Sequence, residues 1–173
     1  MSLQEVVLTT SDESEFVTLL GSVYEHSPWV AEQLWRHKLA HPIEMYNSMD
    51  KIQLAMQQIV DNSTDEEKLL LLRAHPDLAG KAALSGELTE ASKSEQAGAG
   101  LDQCNEEELA HFLQLNHDYR SKFGFPFIMA VKGANKTQIL QGFLERTPND
   151  WQREFERAIS EVHKIAAFRL AEF

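Results

Sequence analysis

Apolar residues recur at helical spacing along most of the chain. After Ser11-Asp12-Glu13, the set Phe16, Leu19, Leu20 and Val23 shares one face, and Ser27-Pro28 reads as an N-cap with proline at the first helical position. Two helices are therefore predicted to open the chain. From Ile43 to Val60, residues Ile43, Met45, Tyr46, Met49, Ile52, Met56 and Ile59 fall largely on one face. Thr64-Asp65-Glu66-Glu67 has capping-box spacing ahead of Lys68 and the run Leu69 to Leu72. Pro76 disfavours helical dihedrals at His75, so this helix is expected to stop near His75-Pro76 and to leave the histidine at its end.

Farther along, Asn105-Glu106-Glu107-Glu108 is another cap signal, with acidic residues where the helix dipole favours them, and Leu109, Phe112, Leu113, Asn116 and Tyr119 continue the period as far as Gly124. The segment FPFIMAVKG is short, apolar and bounded by glycines, a pattern shared by strands and buried extended loops. A helix is predicted from Thr137 through Ile139, Leu140, Phe143 and Leu144. After Pro148-Asn149-Asp150 a last one carries Trp151, Phe155, Ile159, Val162, Ile165, Ala166 and Leu170. With no βαβ rhythm, no internal repeat and no low-complexity linker, the expected architecture is all-α. It is a single domain over residues 1–173, a bundle of about eight helices with a short extended loop at FGFPFIMAVKG.

Composition narrows the function classes. The 173 residues are 43% hydrophobic, enough to enclose one core. Lys and Arg total 16 against 27 Asp and Glu, for a formal charge of -11, and no basic block suited to a phosphate backbone occurs, so neither DNA nor RNA is an expected partner. The same acidity repels an anionic substrate at long range, which means that a site for one needs locally placed cations or backbone N–H groups. The lone Cys104 excludes an internal disulfide framework and a Cys-rich metal site. Without a membrane-length apolar run, a basic-then-apolar leader or a peroxisomal tripeptide at LAEF, a soluble protein of the cytoplasm is expected.

Amphipathic faces do not explain AHPDLAGKAALSGELTEASKSEQAGAGL, from Ala74 to Leu101. It holds Gly80, Gly86, Gly98 and Gly100 together with His75, Asp77, Ser92, Ser94, Glu95 and Gln96. On composition alone, a polar connection between helices accounts for it. HPDLAGK, then SKSEQAGAGL, then YRSKFGFPFIMAVKG, then HKIAAFRL, in that order, resembles the 2-oxo-4-hydroxy-4-carboxy-5-ureidoimidazoline (OHCU) decarboxylases. The four blocks run from Ala74 nearly to the carboxyl end, and the combination is more specific than any one of them.

The resemblance implies decarboxylation of OHCU to (S)-allantoin in urate breakdown by an all-α homodimer with no metal or organic cofactor. It implies that His75 is the acid/base residue, that Pro76 contacts substrate, and that Ser92, Lys93, Ser94, Glu95 and Gln96 supply a catalytic glutamate, Glu95, and further contacts. It also implies contacts from Phe127, Ile128, Met129, Ala130 and Val131, main-chain groups included, and a site arginine at Arg169, with Arg157 the alternative on the same helix. Each has a plainer reading: a helix terminator for His75, an exposed helix carboxylate for Glu95, a buried connector for residues 127–131, and a salt bridge to Glu172 or Glu161 for Arg169.

Elsewhere, His37 and His41 stand four apart without a third ligand or an HExxH pattern, so structural or surface histidines are expected, and no metal. His111, His117 and His163 have no evident partner, Cys104 lacks the neighbours of a nucleophile, and Trp29, Trp35 and Trp151 are expected to pack in the core or a dimer interface. Two other functions fit the same faces: a decarboxylase or hydrolase of a related ureido acid, and a non-catalytic helical interaction domain.

Overall fold

The computed structural model describes residues 2–80 and 85–173; residues 81–84, Lys81 of the HPDLAGK block among them, lie outside the described residues. The described residues form nine α-helices and two 3-10 turns, an all-α architecture. They group into two compact units, one of residues 1–74 and 166–173 and the other of residues 75–165.

The first unit contains α1 (Leu3–Thr9), α2 (Glu13–Leu20), α3 (Trp29–Ala40), α4 (Met49–Asp61) and α5 (Asp65–Arg73). Side-chain caps set most helix starts. Asp12, Ser48 and Thr64 each accept a backbone N–H of the first turn, and Thr64 with Glu67 completes the expected capping box. A second box, Ser2 with Glu5, starts α1, a helix too short for its period to register in sequence. Two boundaries differ from expectation. The Ile43 to Val60 stretch divides into a 3-10 turn at Ile43–Tyr46 and α4, because extended Ser48 caps a new helix. Ser27 does not cap α3; its hydroxyl donates to Glu25 O at 2.9 Å. Val7, Phe16, Leu20, Leu34, Ile52, Met56, Leu71 and Leu72 fill the core of this unit. Trp35 packs on Phe16 with ring centroids 5.2 Å apart, and the Lys38 ammonium donates to the Val7, Leu8 and Thr10 carbonyls at the end of α1, where a helix favours a cation.

The second unit contains α6 (Glu90–Gly98), a 3-10 turn (Leu101–Gln103), α7 (Glu106–Phe123), α8 (Lys136–Arg146) and most of α9 (Trp151–Leu170). Asn105 and Glu108 form the expected box ahead of α7, and Asn135 with Gln138 forms another that starts α8 a residue before Thr137. Gly124 ends α7 at φ 78°, a left-handed conformation glycine adopts without strain. The FPFIMAV segment that follows has no regular structure, which decides between the strand and loop that its pattern allowed. Its phenylalanines join the core. Phe127 stacks on Phe143 with centroids 3.8 Å apart, Tyr119 meets Phe127 edge-on at 5.2 Å, and Phe125 packs against Trp151 and Phe155.

Candidate functional site

The HPDL turn begins where α5 stops. Ala74 caps α5, and His75 beyond it is 6% exposed. Residues 77–79 then make a tight turn in which Ala79 takes φ +50°, a left-handed conformation unfavourable to alanine by about 1 kcal/mol. Gly80 is needed next: a Cβ there would lie 2.5 Å from Asp77 Cβ. Side chains from two helices hold the turn. Gln96 of α6 donates from Nε2 to Asp77 O at 3.2 Å and accepts the Ala79 N–H at Oε1, at 3.0 Å. From α7, Asn116 Nδ2 donates to Leu78 O at 2.7 Å, and Arg120 Nη2 donates to Asp77 Oδ1 at 2.7 Å.

Helix α6 starts at Thr89, whose hydroxyl accepts the Ser92 N–H at 3.2 Å. Helical periodicity puts residues 92, 95 and 96 on one arc. Ser92 and Gln96 are buried and Glu95 is half-buried, whereas Lys93 and Ser94 are exposed on the other side. The five-residue block is thus sorted by the helix into an inward triad and two outward residues.

The loop 127–131 is fixed by charged groups. Phe127, Ile128 and Val131 are buried, while Met129 and Ala130 are half-buried. Arg146 Nη1 donates to Ile128 O at 2.6 Å and its Nε to Glu154 Oε1 at 2.6 Å, with the guanidinium over the Phe127 ring at 4.3 Å. Glu154 also accepts from the Tyr119 hydroxyl at 2.6 Å and Asn149 Nδ2 at 3.0 Å. Burial foremost, then the bond to Glu154, pushes the Tyr119 hydroxyl far above its ordinary value, so it stays a donor. Glu161 of α9 accepts the Ala130 N–H at 2.9 Å and pairs with Arg157 and Lys164, each at 3.0 Å. Burial raises this carboxyl, but the N–H and the two cations outweigh it and hold Glu161 below the usual carboxylate range.

Arg169 belongs to the first unit. Its Nη1 lies 2.7 Å from Glu25 Oε2 and 3.1 Å from Ser22 O, and both side chains are buried. Glu25 is thus a partner that neither spacing nor motif had suggested. Arg157, half-exposed, is taken up by Glu161. Arg120, Arg146 and Glu154 were likewise not singled out from sequence, Asn116 was read only as a position in the helical period, and Glu161 only as a salt-bridge partner of Arg169. The trace that Asn116, Arg146, Glu154 and Glu161 leave in the sequence is a polar residue on an otherwise apolar face of α7, α8 or α9.

The remaining candidates have plainer placements. His37 and His41 rings lie 5.9 Å apart beside a groove of about 790 Å³ that no HPDL, α6 or 127–131 residue lines. Among the described residues no group of three His, Cys, Asp or Glu side chains is placed to hold a metal, and no helix is long and apolar enough to cross a membrane. Burial raises the Cys104 thiol, the opposite of nucleophile activation.

Comparison with known proteins converges on one group. The sequence pattern of the family described as OHCU decarboxylase matches residues 9–171. A 2-oxo-4-hydroxy-4-carboxy-5-ureidoimidazoline decarboxylase of Haloferax volcanii is 42% identical over 99% of this chain and 95% of its own length. The fold is similar to a crystal structure of (S)-allantoin synthase, with TM-score 0.77 and 33% identity over 97% of this chain. It spans 52% of that protein, about half its length. It is also similar to a crystal structure of an OHCU decarboxylase in the presence of (S)-allantoin, with TM-score 0.64 and 25% identity, covering 83% of this chain and 89% of that one.

Proposed function

The chain belongs to the OHCU decarboxylase family, and from that premise we propose that it removes the carboxylate of OHCU to give (S)-allantoin, with His75 as the proton-transfer residue. The observation that carries this reading is the double hydrogen bond of Gln96 to Asp77 O and Ala79 N. Two sequence blocks 17 or more residues apart are thereby joined, a buried histidine following a helix end and a helix face bearing Ser92, Glu95 and Gln96.

The substrate's name places hydroxyl and carboxylate on one ring carbon and the ureido group on the next, in a ring that retains a C=N bond. When the bond to the carboxylate breaks, its electron pair forms a double bond between these two carbons and the C=N pair moves onto nitrogen. The hydroxyl then gives up its proton as a carbonyl forms, the ring nitrogen takes one proton, and the ureido-bearing carbon takes another on one face. The ring itself accepts the electrons, so the protein's tasks are orientation, stabilisation of charge and proton delivery.

An imidazole exchanges protons near neutrality, which suits His75 to the hydroxyl and to the ureido-bearing carbon. Glu95 and Ser92 are assigned to the ureido and ring N–H groups, and Gln96 keeps a second amide N–H for substrate beyond the one spent on Asp77. Pro76 and residues 127–131 are assigned to the walls of the site. Lys93 and Ser94, exposed on α6, are left a minor part. The substrate carboxylate is assigned to Arg169 on the strength of its KIAAFRL motif alone, its guanidinium being shared with Glu25. The finer readings of one domain over residues 1–173, a homodimer and a cytoplasmic address go with this proposal and rest on the same likeness.

Freshly generated OHCU tests it. With the native chain, carbon dioxide release accelerates and (S) optical activity develops, whereas His75→Asn lowers the rate on the order of 10²–10⁴-fold and the product forms as a racemate. Full acceleration with His75→Asn would refute the assignment of His75. No acceleration by the native chain would favour a related ureido acid as substrate or a non-catalytic role.

A further inference from the structure

We propose that Asn116 and Arg120 of α7 are positioning residues for His75, acting through the strained turn at 77–79. The inference deepens the reading just given and rests on its assignment of His75.

Three observations support it. Asn116 is buried, and its amide has a one-sided use: Nδ2 donates to Leu78 O at 2.7 Å, whereas Oδ1, also buried, has no hydrogen-bond partner among the described residues. A buried acceptor left unsatisfied is costly, and an apolar residue of the same shape fills the space without that cost. Asparagine is therefore explained by its donor, and the donor is spent on the turn.

The backbone of that turn is itself unfavourable. Ala79 stands at φ +50° and persists there only if its surroundings over-determine it. They do: Asp77, Leu78 and Ala79 are each bonded by a side chain from α6 or α7, four hydrogen bonds on three consecutive residues.

Finally, Pro76 is the link between turn and histidine. Its ring fixes φ, so an orientation imposed at residue 77 passes to His75 with one fewer soft dihedral than any other residue would leave. A catalytic base misplaced by about 1 Å loses on the order of a hundredfold in rate. A clamp on the turn thus has a catalytic purpose that a packing residue lacks.

The test is a double-mutant cycle on the full chain, with OHCU as substrate. Asn116→Leu is expected to lower kcat roughly tenfold to a hundredfold with KM changed less than about threefold. In a His75→Asn background the same substitution should change the residual rate less than about threefold, because the residue it acts through is gone. Arg120→Met provides a second route, since Arg120 is half-exposed and its loss leaves the core intact; it should give a smaller kcat loss that also vanishes with His75→Asn. The His75 ring NMR signal, assigned by its disappearance in His75→Asn, reads position without turnover. It should move or broaden in both α7 variants. Equal losses in both backgrounds, a loss confined to KM, or an unmoved ring signal would overturn the clamp. A signal that moves in both α7 variants, while the native chain fails to turn over OHCU, would sustain the clamp and sink the decarboxylase reading alone.

Discussion

Residues 77–79 and residues 127–131 both lie in the second unit without regular structure, and in both the backbone is satisfied by side chains instead of a neighbouring strand. The side chains differ in kind. At the turn, main-chain groups are met by two neutral amides, Gln96 and Asn116, and an ion pair of side chains, Asp77 with Arg120, is half-exposed. At the loop they are met by charges: Arg146 on Ile128 O, itself held by the fully buried Glu154, and Glu161 on Ala130 N. Neutral amides hold with equal strength at any pH, whereas a charged lock depends on protonation and on its partner's presence. The main-chain groups of the turn are thus held by side chains that carry no charge, and those of the loop by side chains that do.

Arg146→Met tests this difference most severely. It removes the bond to Ile128 O and strands Glu154, 0% exposed, with Tyr119 and Asn149 as its remaining side-chain donors among the described residues. Breaking a buried pair from one side costs about 3–5 kcal/mol, a large part of a domain's stability, and urea unfolding should show it. A cost below about 1 kcal/mol would mean that the aromatic cluster, not the charge, holds the loop.

Glu161→Gln separates the two segments by pH. The Glu161 carboxyl lies below its ordinary value in the folded chain, so its contribution is fully present above about pH 4.3 and is lost as pH falls through the folded value. At neutral pH the variant should be less stable by roughly 1–2 kcal/mol, and the gap to the native chain should close on acidification. A gap that stays constant from pH 7 to about pH 3 would show that the Ala130 contact does not depend on the carboxylate's charge.

What the sequence disclosed follows the range of the interactions. Thr64 with Glu67 and Asn105 with Glu108 are bonds across three residues, so the pattern of side chains sufficed to place those helix starts. Pro76 likewise located the end of α5, since its constraint acts on the residue beside it. Ser27 misled because a hydroxyl before proline fits a cap and a turn equally, and its acceptor, Glu25 O, depends on the turn taken. The block from 92 to 96 was legible as a unit, but its division into Ser92, Glu95 and Gln96 against Lys93 and Ser94 needed the helix to be in place. Partners 17 to 147 residues distant, such as Gln96 for Ala79, Asn116 for Leu78 and Ser22 for Arg169, leave no periodic trace.

The smallest expected effect probes the turn by itself. Ala79→Gly removes the left-handed strain, a gain of about 1 kcal/mol in the folded chain, and adds backbone freedom to the unfolded one, a loss of about 0.5–1 kcal/mol. The two nearly cancel, so the variant should match the native chain within roughly 0.5 kcal/mol. Ala110, exposed in the body of α7, supplies the reference, because Ala110→Gly has no strain to relieve and should cost the ordinary helix penalty of about 1 kcal/mol. Urea unfolding of the two variants side by side reads the difference directly. If Ala79→Gly costs as much as Ala110→Gly, the turn stores no strain, and the amides of Gln96 and Asn116 are then holding a conformation the backbone would have chosen without them.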